Sequence, residues 1–180
     1  MVMTYKECIE RFKSPYQIAK AVESGELYKI EKGIYSSAPD AYDLEIVISK
    51  YPEAIITMNT AFYFHGLTDS IPDEYSIATL KSSKALKDKR VKQYYIEKNL
   101  LNLGVTHMEK FGVRFRIYDK ERMLVELLRF KNKLPYDFYK EIVASYRAQI
   151  HELDIARIQY YTEIFPKRKM ISEALELEVF

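Results

Sequence analysis

The sequence predicts an α+β protein: a small, reduced winged helix-turn-helix at the N-terminus, then an α+β body with a short mixed or antiparallel sheet and a helical C-terminus. Three observations carry this reading. Helix, turn, helix and hairpin signals follow one another within the first 37 residues. Short β-branched or alternating runs gather between residues 54 and 119. Beyond residue 119 the apolar positions recur at helical spacing. Hydrophobic residues at 48% and charged residues at 30%, with 16 Tyr and 9 Phe, supply enough side-chain area for a packed core.

The elements follow in order. Thr4 can cap a short helix through Phe12, with Tyr5, Ile9 and Phe12 on one stripe. Ser14-Pro15 restarts a helix in the favoured cap-then-first-turn order; Ile18 and Val22, with Ala19 beside them, are expected to face inward, and Gly25 stops it. The run LYKIEKGIYSS then pinches at Glu31-Lys32-Gly33, where Gly33 suits a positive-φ loop position. About 26 residues precede Leu27, room for two helices where a full winged module has three. The polar stretch Ser36-Ser37-Ala38-Pro39-Asp40 predicts a boundary, with a DNA-binding module at 1–38 and an α+β domain at 39–180.

In that second part, Tyr42–Lys50 reads as a helix, Ala54–Thr57 as a buried strand, and Thr60–His65 as a helix cut off by Gly66. Strands are expected at 75–80 and 93–96, and a hairpin at 104–119, where Val113, Phe115 and Ile117 alternate with Arg114, Arg116 and Tyr118. Four apolar stripes follow. They begin at Met123, Phe138, Leu153 and Met170, and Pro135 and Pro166 separate neighbouring helices.

Several function classes are disfavoured. The longest uncharged run, Ala54–Thr68, is 15 residues, shorter than the ~20 a membrane helix needs. Glu7 and Glu10 interrupt the place of a signal peptide, and Cys8 has no partner for a disulfide, so a cytoplasmic protein is expected. His65, His107 and His151 stand apart, with no metal-ligand spacing and no glycine-rich phosphate loop. No cofactor, metal or enzymatic activity is expected. One nuclease-like pattern exists, Pro72-Asp73 followed by Glu97-Lys98. Its acid and lysine are adjacent, so on a strand they point to opposite faces. Residues 81–92 hold six bases and one acid; Lys81, Lys84, Lys87, Lys89 and Arg90 are candidate phosphate contacts or a solvated loop.

Three segments together resemble the AbiEi-type abortive-infection antitoxins. GELYKIEKGIY (25–35), containing Gly33 and Tyr35, resembles their wing. AFYFHGLTDSIP (61–72), with His65 and Gly66, is similar to their helix-then-loop signature. GVRFRIYDKERMLVELLR (112–129), with Asp119, Glu121, Arg122 and Glu126, looks like their strand-to-helix junction. The order agrees from about residue 5 to the C-terminus. The same residues have structural readings. Gly66 can end a helix in the left-handed conformation, Asp119 can cap the next one, and Arg122 with Glu126 forms an i, i+4 pair.

The resemblance implies an antitoxin of a type IV toxin–antitoxin system acting in phage defence. Such a protein is a transcriptional regulator that represses its own operon through the winged module. It counteracts a nucleotidyltransferase-like toxin through its C-terminal domain, generally without a stable complex. On that reading residues 15–24 enter the major groove and expose Tyr16, Gln17, Lys20 and Ser24, while Lys29 and Lys32 of the wing touch phosphate. Residues 1–38 hold six bases and five acids, so tight binding would need two copies, an oligomer on operator DNA, or help from the basic block at 81–92. The alternative is a protein-interaction module whose degenerate winged helix does not bind DNA.

Overall fold

The computed structural model describes residues 1–180. The chain is α+β, with nine helices, a three-stranded antiparallel sheet and a five-stranded mixed sheet, and a helical C-terminus. It divides into two compact units. The first comprises Met1–Glu53 with Lys110–Val113, and the second Ala54–Glu109 with Arg114–Phe180. No helix is long and apolar enough to cross a membrane.

In the first unit, strand β1 (Val2–Thr4) leads into helix α1 (Tyr5–Phe12), helix α2 (Pro15–Glu23), strands β2 (Tyr28–Glu31) and β3 (Ile34–Ser36), and helix α3 (Asp43–Lys50). Thr4 starts α1 with a reciprocal capping box. Its hydroxyl accepts from the Glu7 N–H, and the Glu7 carboxylate accepts from the Thr4 N–H at 2.6 Å. Ser14 caps α2 through the Gln17 N–H, with Pro15 in the first turn. The strand order is β1-β3-β2, so the N-terminal strand pairs with the second strand of the hairpin.

Alternation along these strands sorts their side chains onto two faces. Met3 and Tyr35 are cross-strand partners and join Cys8, Ile18, Ala21 and Leu27 beneath α1 and α2. Val2 and Ile34 face the other way and pack with Ile46 of α3. Both faces of the small sheet are therefore covered. Two expectations are corrected here. Strand β1 was not anticipated, because three residues show no measurable period. The expected division at residue 38 is also displaced: Ser37–Asp40 is a loop inside the first unit, because α3 is needed to cover Val2 and Ile34.

The second unit contains β4 (Ile55–Ile56), α4 (Met58–Phe64), β5 (Tyr75–Leu80), β6 (Val91–Ile96), the single turn α5 (Lys98–Leu101), β7 (Val105–Lys110) and β8 (Val113–Tyr118), whose hairpin tip belongs to the first unit. Helices α6 (Lys120–Phe130), α7 (Tyr136–Ala148), α8 (Ile155–Ile164) and α9 (Arg168–Ala174) close the chain. Strand order is β6-β5-β4-β8-β7. Two-residue β4 sits at the centre, antiparallel to β5 and parallel to β8, with Ile55 and Ile56 fully buried. Helix α6 is the hub. All eight residues from Glu121 to Leu128 are buried, and α4, α8 and α9 pack on it.

Between β7 and β8, Phe111 and Gly112 both have positive φ, 54° and 75°, the signature of a tight I′ hairpin turn. Strands β5 and β6 are parallel from Tyr75↔Val91 to Leu80↔Ile96. Their ten-residue crossover contains no helix, although parallel connections usually carry one.

Candidate nucleic-acid interface

Two residues, Lys13 and Ser14, separate α1 from α2. Lys13 takes the left-handed conformation at φ 68° and its ammonium caps the Glu10 carbonyl at 2.7 Å. That geometry buries Ile18 and Ala21 of α2 and leaves Tyr16, Gln17, Lys20 and Ser24 exposed; Ala19, expected to face inward, is exposed, because Ala21 takes the place beside Ile18 under α1. Tyr16 is 72% exposed. The Ser24 hydroxyl donates to the Ala21 carbonyl at the end of the helix, so it serves the backbone as well as the surface. Lys29 and Lys32 project from the hairpin, and Gly33 at φ 80° makes its turn. Lys20, Lys29 and Lys32 have no ion pair within the chain, so their charges are available to an outside anion. Glu31 is bound to Lys50 at 2.6 Å.

Charge is uneven along α2. Its first turn carries no charged side chain, Lys20 lies in its last turn, and Glu23 and Glu26 stand at and just beyond its end. A polyanion therefore meets least repulsion at the N-terminal half, where the helix dipole also attracts negative charge. Met1–Glu53 as a whole holds seven bases and nine acids. Tyr35 is buried under α1 and stacks obliquely with Tyr5 at 6.4 Å, a packing role.

The basic crossover is an ordered feature. The Gln93 side-chain amide accepts from the Leu86 N–H at 2.9 Å and donates to the Lys84 carbonyl at 3.2 Å and to the Thr79 hydroxyl at 2.8 Å. Two of its expected phosphate contacts are already engaged. Lys81 is paired with Glu97, whose carboxylate raises the lysine's pKa, and Arg90 forks onto both oxygens of Asp88 at 2.9 Å. Lys84, Lys87 and Lys89 remain exposed and without acidic partners. Gln93 was invisible as a clamp in the sequence, since its role depends on the parallel pairing that sets Thr79 near it.

The strand-to-helix junction is a packed network. Arg122 is fully buried between the rings of Tyr118 and Phe165, its guanidinium carbon 4.2 and 4.4 Å from their centroids. Its Nη1 donates to the carbonyls of Leu100 and Leu103, and Nε and Nη2 donate to Glu126. Arg129 completes the pairing of Glu126 at 2.7 Å. Asp119 caps α6 through the Arg122 N–H and accepts from the Tyr161 hydroxyl at 2.9 Å. Burial raises the Asp119 carboxyl pKa despite those donors, and burial together with the bond to Asp119 raises that of Tyr161. Glu121 accepts from the Asp154 N–H at the start of α8. His65 Nε2 lies 2.7 Å from the Tyr118 carbonyl, and Gly66 ends α4 at φ 69°. These motif residues hold the second unit together; no buried side-chain polar atom in the protein lacks a partner.

The nuclease-like residues are kept apart. Asp73 precedes the start of β5 and Glu97 follows the end of β6. In a parallel pair six residues long, that puts them about 20 Å from one another.

No protein-family model matches the chain, and no curated protein matches it in sequence. In structure it is similar to the crystal structure of the RV2827C protein from Mycobacterium tuberculosis, with a TM-score of 0.68 and 13% identity over 98% of this chain and 71% of that one. At that identity the likeness concerns the fold.

Proposed function

We propose that the protein is an AbiEi-type antitoxin that binds its own promoter as a repressor and counteracts a nucleotidyltransferase-like toxin. The observation that supports the DNA-binding half is topological. The unit has a strand, two helices and a hairpin whose second strand pairs with that first strand, an order that matches the plan of a winged helix-turn-helix without its leading helix. In that plan α2 is the recognition helix and β2–β3 the wing. Exposed Tyr16 and Gln17 in the first turn of α2 fit a groove-entering role, with Lys20 in its last turn and Lys29 and Lys32 on the hairpin as phosphate contacts. The antitoxin half rests on the three sequence segments described above.

Fluorescence anisotropy with the promoter fragment at two salt concentrations tests the reading. Gln17→Ala should cost about 1–3 kcal/mol at one operator position and leave non-specific affinity nearly intact. Lys32→Ala should weaken all sequences alike and flatten the salt slope by about one unit. A parent protein that prefers the promoter no more than random DNA would refute the repressor. The excess of acids over bases in Met1–Glu53 favours a second reading, a protein-interaction module. That reading predicts no promoter preference at any salt concentration.

A further inference from the structure

The last helix of the second unit carries two apolar stripes, and only one of them is used. Ile171, Ala174, Leu175 and Val179 are buried, but Met170 and Leu177, seven residues apart and so on a common side, are not. Leu177 is 80% exposed. The final turn, Leu175–Val179, winds wide as a π turn in which the Phe180 N–H donates to the Leu175 carbonyl at 2.9 Å. Its winding keeps Leu175 and Val179 in the core while Leu177 faces out.

Beside this second stripe lies a groove of about 340 Å³ with Leu128, Met170, Ala174 and Leu177 among its lining residues. Arg129, Lys131, Lys133 and Lys167 contribute basic groups, against the acids Glu173 and Glu178. Glu178 is held by Lys131 at 2.6 Å and by the Tyr139 hydroxyl at 2.8 Å, and Arg129 by Glu126. Lys133, lying over the Phe130 ring, and Lys167 have no acidic partner. The groove is thus a mixed slot in which Met170 and Leu177 offer exposed apolar surface beside uncompensated positive charge.

We infer that this groove docks an amphipathic helical segment of a protein partner, one whose apolar stripe is flanked by acidic residues. Its apolar anchors would cover Met170 and Leu177, and its carboxylates would meet Lys133 and Lys167. Met170 and Leu177 lie on one side of the helix and both line the groove, so one apolar stripe of a partner helix can cover them together. Positive charge at the rim selects the acidic partner over a basic one. The inference does not depend on DNA binding by α2.

The test uses the full chain and two synthetic helical peptides that share one leucine stripe, one with glutamate and one with lysine at the remaining positions. Saturable binding of the acidic peptide is expected in fluorescence polarisation, at least tenfold tighter than the basic peptide and weaker at high salt. Leu177→Glu, and separately Lys133→Glu with Lys167→Glu, should each weaken it at least tenfold. Because these side chains are exposed, the melting temperature should stay at the parental value. Equal affinity for both peptides, no saturable binding, or parental affinity in the variants would each overturn the proposal. So would sedimentation showing that the parent self-associates and that Leu177→Glu is monomeric, since the occupant would then be a second copy of this chain.

Discussion

Arg122 engages every guanidinium nitrogen inside the protein, so its contribution is geometric as well as electrostatic. Arg122→Met should destabilise by about 3–5 kcal/mol, because it leaves Glu126 with one partner and strips a donor from the Leu100 and Leu103 carbonyls. Arg122→Lys should also be markedly destabilising, since an ammonium cannot reproduce a planar fork between two rings. Urea unfolding compares them, and parental stability of the lysine variant would show that a point charge suffices. Nearby tyrosines make the protein sensitive to alkali. Burial raises the Tyr118 pKa to about 12 against the opposing Arg122 charge. Burial also raises Tyr139, Tyr146 and Tyr161, with Glu178, Glu121 and Asp119 adding to it. Below pH 10 both folded and unfolded chains keep these protons and their stabilisation is complete. Above it the unfolded chain ionises first, so stability falls as pH rises from about 10 through 12. Tyrosinate absorbance should therefore rise in two stages, the second coinciding with loss of circular dichroism. A single reversible titration near pH 10 with the fold intact would contradict this.

At the level of elements, burial decides which helices the molecule depends on. Leu127 of α6 is completely buried, and Leu127→Ala should cost about 2–5 kcal/mol. Ile46→Ala should cost a similar amount by uncovering Val2 and Ile34 in the first unit. Thermal melts of the two variants check both, and a parental melt for Ile46→Ala would separate α3 from the small sheet's stability. Helices were legible in the sequence wherever a cap met a periodic stripe, as at Thr4, Ser14-Pro15 and Asp119. The 91–96 strand was only partly legible, because Val91 and Lys92 lie at the end of a charged run. Partnerships were harder to read. Nothing local shows that Val2–Thr4 pairs with Ile34–Ser36, or that β5 and β6 run parallel, since register arises from contacts distant in sequence. The exposed residues of α2 and of the β2–β3 hairpin followed from helical and strand periodicity. The clamp at Gln93 and the shell around Arg122 did not, because both depend on segments meeting across tens of residues.

For the whole molecule, the division between Glu53 and Ala54 sets where function should separate. If the proposed assignments hold, a chain beginning at Ala54 should still protect cells from the toxin while repression is lost. A reporter gene and a toxicity assay measure the two outcomes side by side. Loss of both activities in a folded, soluble fragment would count against a two-part protein. On the repressor reading, the excess of acids in Met1–Glu53 opposes tight binding by a single copy, so occupancy of the promoter should rise steeply with protein concentration.

The placement of β4 also bears on how the protein is made. Ile56 pairs with Ile117 on one side and Ile77 on the other, so the centre of the sheet cannot close until β8 leaves the ribosome. At roughly 5–20 residues per second, the intervening stretch takes about 3–12 s to synthesise. For those seconds Ile55 and Ile56 lack one neighbouring strand, and an apolar edge of that kind attracts chaperones or other nascent chains. Ribosome-bound chains stalled before Gly112 should therefore be readily cut by protease around residues 54–57. Chains stalled far enough beyond Phe130 for β8 to clear the exit tunnel should resist, unless the sheet forms in another order.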